Sequence, residues 1–127
     1  MSISYQKTLN SKQVEVFISN MEETKWEPFV VEGMELGQAH VLRTDIETGT
    51  VSGLWKHSPE EHPDGMPFLI HGNETFYVLQ GSAELYTPDG EVIQLKKGDM
   101  FSGSDGFSAT WKTTAPFIKF YTISSAK

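Results

Sequence analysis

Apolar positions in this chain come in short runs that alternate with polar ones, and turn signals cut the runs at frequent intervals. From about residue 28 onward, β-branched and aromatic residues gather between the segments "ETGT", "HPDG", "TPDG" and "KKGD", which is the pattern of strands joined by tight connections. The expected strands are residues 28–32, 39–45, 50–57, 68–71, 74–80, 83–87, 91–95, 99–102, 108–112 and 116–123. "SAELYTPDGEVIQL" alternates on both arms around Pro88, Asp89 and Gly90, predicting a hairpin in which Gly90 supplies the positive φ of the turn. No helix long enough for a parallel crossover separates these strands, so the sheet is expected to be mainly antiparallel. So many short strands must close on themselves or form facing sheets. Ahead of them, "SKQVEVFISNME" at residues 11–22 opens on a Ser cap and spaces Val14, Phe17, Ile18 and Met21 by three and four, predicting one short amphipathic helix. Residues 1–27 therefore read as an N-terminal segment and 28–127 as a single all-β barrel or jelly roll.

Composition narrows the partners. The chain has 127 residues, enough for one core, and 17 acidic against 10 basic residues give a formal net charge of −7. Its longest basic run is the pair Lys96 and Lys97, so nucleic acid and anionic membrane surfaces are excluded as expected partners. Cysteine is absent, which removes disulfides, thiolate nucleophiles and cysteine-ligated zinc and leaves His, Asp and Glu as strong metal ligands. The start, "MSISYQKTLNSKQ", carries no apolar core of signal-peptide length, and no apolar run approaches the roughly 20 residues that cross a bilayer. A soluble, cytoplasmic protein is expected.

"HGNETFYVLQG" sets His71 and Glu74 ahead of an apolar run that ends, after six residues, at Gly81, and Gly98, Asp99 and Gly106 follow one hairpin later. This resembles the two motifs of the cupin superfamily over about residues 50–123. "GLW", "ETFYVLQG", "GDMF", "GFSATW" and "IKFY" look like the small cupins grouped with ureidoglycine aminohydrolase and the ethanolamine-utilisation cupin. The resemblance implies a double-stranded β-helix, a dimer, and a small-molecule pocket in the barrel. It also carries departures. The positions of the two motif histidines fall among Pro67, Phe68, Leu69 and Ile70, the last histidine falls at Ala109, and the turn's proline is Ser104. Of the expected metal ligands Glu74 remains.

Strand alternation then sketches the pocket. With Glu74 inward, as the resemblance implies, Phe76, Val78 and Gln80 share its face while Thr75, Tyr77 and Leu79 point away. Both faces of that strand are largely apolar, so the N-terminal segment or a second subunit is expected over the outer one. Trp55 shares a face with His57, and Trp111 shares one with Ala109; with Phe68 and Tyr121 these form the candidate ligand-binding walls. Lys119, inside the two-sided "FIKFYTI", either snorkels outward or enters the barrel beside Tyr121 and joins Glu74 as a metal-free acid–base pair. Catalytic candidates are thus Glu74, His71 and Lys119. No metal is assigned, although a subset of His57, His62, His71 and Glu74 leaves an irregular divalent site open; His40 reads as a core or surface residue. The expectation is a cupin that binds a small polar metabolite, as an enzyme or as a non-catalytic binding module.

Overall fold

The computed structural model describes the backbone of residues 5–9 and 14–126 and the side chains of residues 14–126. Ten strands follow in order: β1 (Tyr5–Leu9), β2 (Val14–Ile18), β3 (Glu27–Val31), β4 (Met34–Asp45), β5 (Thr50–His57), β6 (Met66–Leu69), β7 (Asn73–Tyr86), β8 (Val92–Lys96), β9 (Met100–Gly103) and β10 (Ser108–Ser124). Among the described residues every pairing is antiparallel. The hairpin around Pro88 forms as expected, with Ser82 opposite Lys96 and Tyr86 opposite Val92.

The architecture is organised by two long strands. β7 and β10 pair along nearly their whole lengths, and each changes its second neighbour halfway. The first half of β7 pairs with β9 and its second half with β8. Likewise β10 pairs first with β6 and then with β5. The two halves therefore belong to two sheets, β3–β4–β5–β10–β7–β9 and β6–β10–β7–β8, and one core cluster joins Trp55, Phe76, Val78 and Tyr121 of the first to Met66, Ala83, Leu85, Leu95 and Trp111 of the second. This is the jelly-roll arrangement.

Gly81 is where β7 turns the corner. Its φ is +82°, and a Cβ there would stand 1.9 Å from the Pro116 carbonyl oxygen, so the two strands cross at a distance that only glycine allows. The buried positions of β7 switch from 74, 76 and 78 to 83 and 85, the parity change that one inserted residue produces in a bulge. That bulge explains why alternation divides this stretch into two expected strands where the chain makes one. β10 is likewise continuous across residues 113–118, through its own register shifts.

The expected helix at residues 11–22 is corrected. Residues 10–13 lie outside the described ones, and Val14–Ile18 is a strand paired with Tyr5–Leu9, followed by a 3-10 turn at Met21–Glu23 capped by Asn20. A lone short helix is marginal in water, and "VEVFI" is rich in the β-branched residues that favour a ladder.

Candidate functional site

Alternation places the site residues on the inner surface. On β7, Glu74, Phe76 and Val78 are buried while Thr75 and Tyr77 are exposed. On β10, Trp111, Thr113, Phe117, Lys119 and Tyr121 are buried in turn, which settles the orientation of Lys119: it points into the barrel. β5 supplies Trp55 and His57, brought opposite Lys119 and Phe117 by the β5–β10 register.

At the centre, Lys119 Nζ donates to Glu74 Oε2 across 2.7 Å. The side chains keep 6% and 7% of their accessible surface, whereas Trp111 and Val78 keep 0%. Four rings surround the ammonium, with centroids at 4.2 Å (Phe76), 5.0 Å (Trp55), 5.2 Å (Phe68) and 5.2 Å (Trp111). Their negative faces stabilise a cation in a desolvated place, and the carboxylate completes its coordination. Burial pulls the Lys119 ammonium below the usual lysine value, and Glu74's charge and hydrogen bond pull it back up. Tyr121 is pushed up to about 12, first by burial and then by the nearby charge of Glu74.

The walls are themselves held. Trp55 Nε1 donates to the Leu36 carbonyl at 2.8 Å, past Gly37, whose φ of +81° and lack of a Cβ leave the indole room. Trp111 Nε1 donates to Thr113 Oγ1 at 2.9 Å, Thr113 Oγ1 meets His57 Nδ1 at 2.7 Å, and His57 Nε2 meets His62 Nδ1 at 2.8 Å. Every polar side-chain atom of Trp111, Thr113 and His57 is satisfied if the Thr113 hydroxyl donates to His57 and His57 Nε2–H donates to His62. His57 is lowered from its ordinary value, chiefly by burial, with Glu61 opposing and His62 adding to the shift; the neutral imidazole fits that arrangement.

The expected wall residues Trp55, Phe68, Phe76 and Trp111 thus converge on Lys119, with His57 stacked behind Trp55 at 5.5 Å. His71 does not join them: it is exposed in the bend before β7. Reasoning from sequence missed Thr113, and also Phe101 and Phe107, which pack on Phe76 and Phe68. The apolar pair that ends "GDMF" is a signal for Phe101, although it does not say which of Met100 and Phe101 faces in; nothing local marks Thr113.

Among solved structures, a Salmonella typhimurium protein described as ethanolamine utilization protein Q superposes with a TM-score of 0.71 at 20% identity, over 100% of this chain and 98% of its own. The EutQ protein of Clostridium difficile gives 0.71 at 12% identity, over 97% and 95%. The Fe(II) form of HppE gives 0.65 at 15% identity, over 94% of this chain and 64% of that one. No curated protein matches the sequence. A family model, the EutQ-like cupin domain, matches residues 64–121. The chain has the cupin fold.

Cupins are expected to hold a metal on histidines and a glutamate, and the residues present in this chain do not fit one. Phe68, Ile70 and Ala109 occupy the region of the missing histidines and carry no donor, and the one motif ligand left, Glu74, has a side-chain ammonium on it. The irregular set does not assemble either: His57 and His62 bond to each other, Glu74 bonds to Lys119, and His71 is exposed. Among the described residues no group of three or more His, Cys, Asp or Glu could hold a metal ion. Among them too, no helix is long and apolar enough to cross a membrane.

Proposed function

We propose that this cupin is a metal-independent, small-molecule enzyme of the EutQ-like and ureidoglycine aminohydrolase-like branch, in which Glu74 and Lys119 act as an acid–base pair on a small polar metabolite. The observation that carries the reading is the 2.7 Å ion pair inside four aromatic rings. A pair of net charge zero suits a ligand with adjacent acceptor and donor, such as a carboxylic acid, an amide or a ureido group. Lys119 has N–H groups beyond the one given to Glu74, and these donate to the ligand's oxygen; Glu74 takes or returns a proton at the neighbouring atom. The ammonium thereby stabilises developing negative charge, the part a metal plays elsewhere. Tyr121 and the four rings exclude water around it.

The second reading is a non-catalytic binding module, favoured by how tightly Trp111 and Val78 fill the barrel behind the pair. Ligand-observed NMR separates the two, using chelator-treated protein and a panel of small carboxylates, amides and ureides. Binding by the wild type, weakened in Lys119→Met, supports the site; turnover lost in Glu74→Gln with binding kept supports the enzyme, and binding without turnover supports the module. Binding that appears only after a divalent metal is restored would overturn both.

The cytoplasmic homodimer expected from sequence belongs to the same proposal. Its supporting feature is a cross-strand row on the outer surface, Leu54, Phe120, Tyr77 and Met100 in register, whose last three members are 38%, 44% and 80% exposed. Sedimentation of the wild type against Tyr77→Lys with Met100→Lys tests it, and two forms that sediment alike as monomers refute it.

A further inference from the structure

We propose that Lys119 is a covalent, imine-forming nucleophile, and that the site accepts small aldehydes. The inference rests on the acid–base reading of Glu74 and Lys119, and it goes further by naming a bond and a substrate class.

Three features of the geometry lead to it. First, a lysine becomes a nucleophile when its amine is freed of its proton, and here the acceptor is already in place at 2.7 Å. In water a carboxylate holds that proton far less tightly than an amine does. Apolar surroundings penalise the two separated charges more than the neutral amine and acid, which brings the two states closer in energy. The depressed titration of Lys119 runs in the same direction. Second, the product of imine formation is again a cation, an iminium at the position of the ammonium. The four ring faces and the carboxylate that hold Lys119 now hold the iminium equally well. Third, the groups around the amine other than Glu74 are aromatic rings and the side chains of the pair keep only 6% and 7% of their accessible surface, so a substituent on the nitrogen has to be small and apolar.

The step balances within the pair. The ammonium passes a proton to Glu74, and the amine attacks the aldehyde carbon to form a C–N bond. The carbonyl electrons move to oxygen, which takes the proton back from Glu74. The nitrogen then returns a second proton to Glu74, the C–O bond breaks as the nitrogen lone pair forms C=N, and the departing hydroxyl takes that proton and leaves as water. Lys119 ends as an iminium facing an ionised Glu74, with no net change in charge and no other reactant.

The test uses propanal as the probe and cyanoborohydride as an added reductant, whose hydride converts any iminium to a stable N-propyl amine. Native protein is sampled over time at neutral pH and the modified lysines are mapped by mass spectrometry. Lys96, whose side chain is 79% exposed, is the internal reference. The expected result is propylation of Lys119 ahead of Lys96, and slowing at Lys119 by roughly tenfold or more in Glu74→Gln, since the proton relay is gone. Lys119 left unmodified after Lys96 has reacted would overturn the proposal. So would faster labelling of Lys119 in Glu74→Gln, because that shows the carboxylate holding the amine protonated and unreactive instead of relaying its proton. Either failure leaves the acid–base reading to be judged separately by the carboxylate, amide and ureide panel, none of which forms an imine.

Discussion

Glu74→Gln keeps the volume and an acceptor oxygen beside Lys119 but removes the charge that balances its ammonium. The pair is 2.7 Å apart with both side chains under a tenth exposed, so the interaction is only weakly screened. Removing one partner of such a pair destabilises a protein by about 3–5 kcal/mol. The glutamine oxygen and the four rings still face the ammonium, which places the expected loss near the lower end, at about 3 kcal/mol. For a chain of this length that corresponds to a fall in Tm of roughly 10–15 °C. The loss also depends on pH. Lys119 titrates lower in the folded chain than in the unfolded one because burial disfavours its charge, so between the two values the folded state binds fewer protons. Stability from this group is then present above the ordinary lysine range near 10.4 and is lost as pH falls through the folded value. Without Glu74 the folded value drops further, the window widens toward neutral pH, and the deficit against wild type narrows as pH rises from 7 to 10, by at most about 1.4 kcal/mol per unit. Urea denaturation followed by tryptophan fluorescence across that range measures it. Equal stability at pH 7, or a deficit that does not change with pH, would refute the buried pair; adding Lys119→Met to Glu74→Gln removes both charges and is expected to recover most of the loss.

Three further outcomes follow from the same structure. Gly81→Ala forces a Cβ against the Pro116 carbonyl at a φ of +82°, and is expected to lower stability by at least about 2 kcal/mol or to abolish soluble expression; chemical denaturation of whatever is soluble checks it. Thr113→Val keeps the shape but strands the Trp111 N–H and the His57 Nδ1, for a loss of about 1–3 kcal/mol that Thr113→Ser should largely restore. Tyr121, at about 12, should be the last tyrosine to ionise in an ultraviolet titration. Because its folded value lies above the unfolded one near 10, the stability it contributes is fully present below pH 10 and is lost as pH rises toward 12. A Tyr121→Phe variant that loses stability just as steeply over that interval would contradict the assignment.

Local periodicity is enough to read most of this barrel, because a strand's two faces differ every second residue and the pattern survives without knowledge of its neighbours. With Glu74 set inward by the cupin resemblance, alternation puts Phe76 and Val78 inside and Thr75 and Tyr77 outside, and the hairpin around Pro88 is legible too, whereas Gln80, expected on the inner face, is exposed just before the bulge. The same reasoning fails where local and long-range forces disagree. At Val14–Ile18 helical spacing was outweighed by pairing with Tyr5–Leu9, and at Gly81 a bulge carried one strand through what looked like a break. In "FIKFYTI" both faces are apolar, so alternation could not say which way Lys119 points; its pairing opposite Trp55 and Val78 decided that. The string from Trp111 through Thr113 to His57 joins residues 56 apart in the chain. Hydrophobic alternation is a property of each segment and so is written in the sequence, whereas the choice of which polar groups meet inside the barrel depends on register between strands, which only the closed tertiary structure fixes.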